Sequence, residues 1–423
     1  MEVSIALLTR DLRVRDNPVL AAASVGSART VPLFVLDPAI LSGSHGRPNR
    51  FGFLCESLVD LDRSLRSLGG SLVVREGNWV DETMRLAQDS TARTIHVARD
   101  VSGYAQRRLA RLREAARRDR VQVIEHDALG IVPPDVFAKP YQVFTPYYRR
   151  WLEVERRRPV SRLRRVALPD GIASRPIPRG APPAVWRGGE SAGLARVKAW
   201  STARVASYDA ERERPAVEGT ARLSPYLHFG CVSPLEIAER FSHVSGGTPW
   251  VRQVCWREFF MQLLWWKPEL AHTELRPDAA PEWVDDAKEI QAWKDGRTGY
   301  PLVDAGMRQL IAEGWMHNRV RMVTASFLTK DLRVDWRVGA AHFMDLLVDG
   351  DVAVNQLSWQ WVAGTGSGGN PNRVLSPNLQ GRTHDPLAVY VRRWVPEIDT
   401  DAYPEPIVDH HEAIAAWQAS RRR

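Results

Sequence analysis

The stretch from Gly314 to Trp361, GWMHNRVRMVTASFLTKDLRVDWRVGAAHFMDLLVDGDVAVNQLSWQW, restricts the chain more than any other. Met316, Val320, Val323 and Phe327 recur at helical spacing and call for a buried helix face. Set among the apolar positions of this stretch are Arg319, Arg321, Asp349, Asp351 and Asn355, with Trp336, Trp359 and Trp361. Polar groups in such surroundings must be paired or do chemistry. Just upstream, Val303, Met307, Leu310 and Ile311 again recur at helix spacing, and Gly314 stands where a helix C-cap belongs. A second helix is expected to begin near Met316.

The rest of the chain divides by pattern. VSIALL (3–8), VPLFVL (31–36), SLVVRE (71–76), TIHVA (94–98) and VQVIEH (121–126) have strand character and alternate with amphipathic helices such as the one beginning FGFLCESL. That alternation predicts a parallel sheet with crossover helices over 1–130. No GxGxxG follows the first strand, so an ordinary dinucleotide fingerprint is missing. Residues 131–190 are rich in Pro and Arg and read as a solvated interdomain linker. From 191 to 423 helical periodicity dominates, so the expected class is α/β plus all-α, a Rossmann-like parallel sheet domain followed by a helical one.

The length of 423 residues suits two domains. The longest apolar run, FFMQLLWW, is too short to cross a membrane. Cys55, Cys231 and Cys255 form no CxxC, which argues against a zinc site or a disulfide framework and for a reducing cytoplasm. The net charge of +8 suits a polyanionic partner, although a preference for Arg can equally reflect genome composition.

Two further motifs lie in the helical half. In YDAERERPAVEGTARLSPYLHFGCVSP (208–234), Thr220, Ala221, Arg222, Leu223 and Ser224 offer hydroxyls and amides before a helix, suited to phosphate oxygens or simply to capping. PWVRQVCWREFFMQLLWW (249–266) places Trp250, Trp256 and Arg257 on a largely aromatic helix. Asp349 and Asp351 could form an acid/base pair or ligate a metal, but no third ligand is evident, and no metal is expected.

These motifs, with VDGDVAVN and YVRRWVPE, closely resemble the photolyase and cryptochrome family, and in particular its cyclobutane-dimer photolyases. The resemblance spans nearly the whole chain, with motifs concentrated in 208–397. It implies a helical FAD-binding domain, with Tyr208, Thr220 and the following residues to Ser224 around the FAD pyrophosphate, and Trp250 and Arg257 against the cofactor. It further implies an Asp349–Arg321 pair near the isoalloxazine, Asp351 at the flavin's polar edge, and Asn355 facing N5. An amide there can accept from a protonated N5 or donate to an unprotonated one.

By the same resemblance Trp359, Trp336 and Trp283 match a relay carrying electrons to photoexcited flavin, though three tryptophans can also be core packing. Gln253, Trp256, Asn318, Arg319, Met322, Trp361 and Arg373 match the site for a flipped pyrimidine dimer and its DNA, with Arg212 a further phosphate contact. Asn318 stands where (6-4) photolyases tend to carry a second histidine. Gln253 departs from the family, which usually has glutamate there. The implied activity is light-driven repair of cyclobutane pyrimidine dimers, without sequence specificity, on single- or double-stranded DNA by a monomer. The other reading is a cryptochrome-like blue-light receptor, against which the short tail after RRWVPE argues. The N-terminal sheet can hold an antenna, methenyltetrahydrofolate or 8-hydroxy-5-deazaflavin; ARDVSGYAQRRL lacks the Asn-Glu pair of many folate binders, which favours the deazaflavin.

Overall fold

A computed structural model describes residues 2–25, 29–43, 46–368 and 370–420. Five strands, β1 (Val3–Leu8), β2 (Arg29–Leu36), β3 (Val73–Glu76), β4 (Thr94–Ala98) and β5 (Gln122–His126), form a parallel sheet in the order β3-β2-β1-β4-β5. Every residue of β1 is buried, as expected for a central strand covered on both faces. One face packs Ile5, Leu7, Val31 and Leu33 against Leu109 and Leu112 of the helix Gly103–Arg118. The other turns Ala6, Leu8, Phe34 and Leu36 into a core shared with Tyr226, Phe229 and Phe259 of the helical half.

Crossover helices start where the sequence offers caps: Asn17 accepts from Leu20 N, Asn78 from Val80 N, and Ser102 from Ala105 N. The connection 131–190 contains the helix Phe144–Glu153. Its remainder is pinned along the α/β domain by Val166 N to Leu68 O (2.9 Å), Thr30 N to Ala167 O (2.8 Å) and Arg175 N to Val74 O (2.8 Å). It is therefore a strap hydrogen-bonded to the domain it leaves, more fixed than a solvated linker.

Glu258, on the buried helix Gly247–Trp266, holds the start of that strap. Its carboxylate accepts from Ile131 N (2.6 Å), Val132 N (3.1 Å) and Trp151 Nε1 (2.8 Å). The helices Pro301–Glu313, Asn318–Ser326, Trp336–Leu346 and Val352–Ala363 enclose a second core. Gly314 is left-handed at φ 61° as a C-cap, and His317, rather than Met316, caps the next helix.

The domains meet where the sheet order reverses, between β1 and β4. Arg10 follows β1 and Asp100 follows β4, and Arg10 donates to Asp100 (3.3 Å) and to Asp351 of the helical domain. Beside them His228 Nδ1 lies 3.4 Å from Arg10 Nη2. Burial, then the Arg10 charge, lowers the His228 pKa to about 4, and burial does the same for His96, His317 and His342.

Two outcomes follow from these contacts. Glu258→Gln would set an NH2 group against N–H donors and should destabilise the fold by about 1–3 kcal/mol, read as an earlier urea midpoint; an unchanged midpoint contradicts the three-donor arrangement. For the histidines, the unfolded chain binds protons at the ordinary value near 6.5 whereas the fold resists them down to about 4. Stability from their neutrality is therefore complete above pH about 6.5 and is lost on acidification toward 4. The thermal midpoint should fall over that window, and less steeply in His228→Gln.

Candidate flavin and nucleic-acid site

Behind the domain seam the structure gathers one polar group of residues. Arg321 Nη2 donates to Asp349 Oδ2 (2.9 Å) and Oδ1 (3.2 Å), while Arg321 Nε donates to Met316 O (2.8 Å). Asp351, expected at the flavin's polar edge, has its carboxylate engaged within the protein: Arg10 donates to Oδ2, and Oδ1 accepts from Val354 N (3.0 Å) as a helix N-cap. Burial opposes its ionisation, but Arg10 and His228 hold its pKa well below the carboxylate range. Arg257 donates to Leu129 O (2.8 Å) and Leu227 O (3.3 Å), tying the end of the α/β domain to the same floor. Asn355 is buried and donates Nδ2 to Ala340 O (3.0 Å), which turns its carbonyl oxygen away from that helix.

The 208–224 segment lies alongside. Tyr208 is buried edge-on to Trp200 (5.5 Å), and Trp250 is edge-on to Phe241 (4.7 Å) in the same aromatic group. Thr220 is half-buried, and Ala221 and Leu223 are buried, with Ala221 O accepting from Arg196 Nε (3.1 Å). Arg222 is left-handed at φ 47°, paired with Glu313 (3.3 Å) and lying 4.4 Å over Trp315. Ser224 Oγ, exposed, accepts from Trp315 Nε1 (3.3 Å). Nearby, His317 Nδ1 accepts from Arg319 N, which leaves the proton on Nε2, a buried donor without a partner among the described residues. A buried N–H with no acceptor, set among arginines and hydroxyls, fits an anionic, oxygen-rich cofactor.

The expected dimer-binding residues come from the helices Gly247–Trp266, Asn318–Ser326 and Val352–Ala363 and from the loop of Arg373. Trp256 stacks on Phe144 with centroids 3.7 Å apart and planes at 5°, and Gln253 is half-buried one turn before it on the same helix. Met322 and Trp361 are half-buried against the second core, and exposed Asn318 directs its amide to Met322 Sδ (3.9 Å). A Cβ at Gly368 would meet the Trp361 ring at 3.2 Å, so the glycine lets the loop lie along the indole. Trp361, Arg276, Lys330 and Arg373 line a cavity of about 190 Å³.

Arg319, expected to grip phosphate, is instead committed to Glu213 (2.6 Å) with Gln380 at 3.4 Å; its helix-terminal position brings it to an acid more than a hundred residues distant that no local pattern announces. Arg212 likewise meets Asp209 (3.1 Å) and Glu213 (3.5 Å). Exposed Arg373 and half-buried Arg276 remain at this cavity.

The three relay candidates share the second core. Trp359 and Trp336 are buried and Trp283 is half-buried, its neighbour Val284 N bonded to Arg333 O (2.8 Å) ahead of Trp336. A Cβ at Gly339 would lie 2.2 Å from the Trp359 ring, so Trp359 rests directly on the helix that Trp336 begins. Sequence reasoning missed Arg10, Asp100, His228, Phe144 and Glu274, all of which act over separations that only the fold closes; the sole signal was the charged TRDLR run after the first strand.

Residues 4–165 match the model of the DNA photolyase domain, and residues 250–402 match that of the FAD binding domain of DNA photolyase. A deoxyribodipyrimidine photo-lyase of Streptomyces griseus is 45% identical over 453 residues, covering 100% of this chain and 99% of that protein. Among solved structures, an archaeal photolyase from Sulfolobus tokodaii with two FAD molecules superposes with TM-score 0.91 at 29% identity, covering 100% of both chains. A Synechocystis cryptochrome superposes with TM-score 0.89 at 25% identity, covering 99% of each. The chain is therefore an enzyme of the DNA photolyase family and carries that family's FAD-binding domain.

Proposed function

We propose that this enzyme repairs cyclobutane pyrimidine dimers in DNA, using light to drive an electron from reduced FAD into a dimer flipped out of the strand. The observation that carries the reading is the helix Val352–Ala363, which bears Asn355, Trp359 and Trp361. Asn355 and Trp359 are one turn apart and share a side, whereas Trp361 lies roughly two-thirds of a turn round from Asn355. One rigid element thus presents an amide and an electron donor toward the cofactor side and an aromatic face toward the DNA side.

FAD, when bound and reduced, supplies the electron after absorbing light. The chain's residues then have separable tasks. The Arg321–Asp349 pair and Asn355 would hold the isoalloxazine, the Arg321 cation favouring a reduced, anionic ring and the Asn355 oxygen accepting from a protonated nitrogen. Thr220 to Ser224 and His317 Nε2 would take the pyrophosphate oxygens, with Tyr208 and Trp250 walling the cofactor and Arg257 holding the floor. Trp256 and Trp361 would receive the extruded dimer between aromatic faces, assisted by Gln253, Asn318 and Met322. Photolyases are among the enzymes known to act on flipped bases, and a dimer stacks and pairs poorly, so its extrusion selects damage without reading sequence. Arg373 and Arg276 would hold phosphate, with Arg319 joining if Glu213 yields it. The basic balance makes binding salt-dependent.

The proposal extends to a division into an antenna domain (1–130), a connection (131–190) and a catalytic domain (191–423). It also includes an 8-hydroxy-5-deazaflavin antenna in preference to methenyltetrahydrofolate, and action as a monomer on single- or double-stranded DNA. The second reading, a cryptochrome-like receptor without repair, draws on Gln253, which can hydrogen-bond a pyrimidine edge but cannot donate a carboxyl proton.

Illuminating the FAD-loaded enzyme with dimer-containing oligonucleotide tests the reading directly; native protein should restore intact pyrimidines. Gln253→Glu should raise the yield per flash, and repair by that variant alone would favour the receptor reading for the native chain. Trp359→Phe should abolish photoreduction of oxidised FAD while FAD stays bound and chemically reduced protein still repairs; unchanged photoreduction removes the relay assignment.

A further inference from the structure

The relay's middle member has a partner that no motif announced. Trp336 is fully buried, and its indole Nε1 donates to Glu274 Oε1 at 3.1 Å. Arg337 links the same carboxylate to the helix N-cap: it donates to Glu274 Oε2 and to Asp335 Oδ2 (2.9 Å), and its guanidinium lies 4.8 Å from the Trp336 ring centre. The segment carrying Glu274 is fixed from behind. Gln360, fully buried on the helix of Trp359, donates to Leu270 O (2.8 Å) and Thr273 O (2.9 Å) and accepts from Leu275 N (3.1 Å), and Arg276 N donates to Thr365 O (2.8 Å).

Two carboxylates and one guanidinium leave this cluster with one net negative charge against an otherwise apolar indole. An indole that has lost an electron is a cation, and a fixed anion on its N–H stabilises that cation more than the neutral ring.

We propose that Glu274 is a positioning residue for the tryptophan relay, its carboxylate making Trp336 the member on which the positive charge is held while electrons pass toward the flavin. The inference rests on the relay reading. One electron passes from Trp336 to Trp359, which has itself given one to light-excited oxidised flavin, the one-electron oxidant. No covalent bond forms or breaks. Trp336 is left as a cation with its N–H proton in place, and it keeps the charge until a thiol-class reductant in solution supplies an electron through Trp283. Burial works against the Glu274 charge, but hydrogen bonds from Arg337 and Trp336 outweigh it and hold its pKa below the ordinary carboxylate value. The group is therefore ionised at neutral pH and acts as a charge.

Flash photolysis of FAD-loaded protein, following the absorption of tryptophan radicals, tests this in native protein, Glu274→Gln, Arg337→Gln and Trp359→Phe, each checked for native circular dichroism. Native protein should show the protonated radical cation. Glu274→Gln keeps a hydrogen-bond acceptor but removes the charge, and should cut the long-lived radical population on the order of tenfold. Arg337→Gln removes the opposing cation and should lengthen the radical's life, a reversal of sign that a merely structural role would not produce. Equal radical yields in native and Glu274→Gln protein, or shortened lifetimes in both variants, overturn the role of Glu274 while leaving the relay intact. Photoreduction that survives Trp359→Phe defeats the relay itself and the inference with it.

Discussion

The ion pair between Arg10 and Asp351 sets the relation of the two halves. A buried carboxylate and a half-buried guanidinium are stable together only when geometry and further hydrogen bonds replace the water they lose. Here Arg10 also donates to Asp100 and to His228 O (2.9 Å), while Asp351 also caps a helix at Val354 N. The carboxyl ends of β1 and β4, where a doubly wound sheet ordinarily leaves a crevice for a ligand, are thereby occupied by the docking of the second domain. The absence of a glycine-rich fingerprint after β1 is consistent with this: the backbone turns there toward a carboxylate of the helical domain. Because Asp351 is also the first fixed point of the helix Val352–Ala363, the same contact sets where Asn355, Trp359 and Trp361 stand relative to the sheet.

A repeated device completes the site. Glu258 and Gln360 are both essentially excluded from water on helices buried nearly all round, and each collects hydrogen bonds from an irregular backbone segment. A buried loop otherwise strands amides and carbonyls without partners, so one polar side chain placed in an apolar helix lets a loop pass beside it. Glu258 fixes the start of the connection behind Trp256, and Gln360 fixes the segment of Glu274 behind Trp336. Both aromatic sites are rigid because their supporting loops are.

The sheet was legible because alternating apolar runs and helical stretches leave few alternatives: β1 and β4 have the expected ends, and the others differ by two residues or fewer at one end. The Asp349–Arg321 pair followed from the resemblance and is present at 2.9 Å. Local pattern fails where a charge meets its partner across the chain. Arg319 sits in a run of basic residues that suggests a free phosphate-binding surface, yet Glu213 neutralises it. Phe144 lies in a Pro- and Arg-rich stretch that reads as a connection, yet it supplies the face on which Trp256 stacks. Nothing in composition distinguishes these residues from their neighbours.

On the proposed function, the placement of the tryptophans keeps light activation and DNA binding apart. Gly339 brings the Trp359 ring onto the helix of Trp336, and half-buried Trp283 packs against the same second core. Trp361 leaves the same helix in a different direction, toward the cavity with Arg276, Lys330 and Arg373. On the proposed reading, a cation on the relay would be drawn toward the carboxylates of Glu274 and Asp335, and away from the basic residues proposed to hold DNA. With acidic groups beside Trp336 and basic groups beside Trp361, electron supply and substrate binding would take separate sides of the proposed site, and the twelve residues of Val352–Ala363 carry both Trp359 and Trp361.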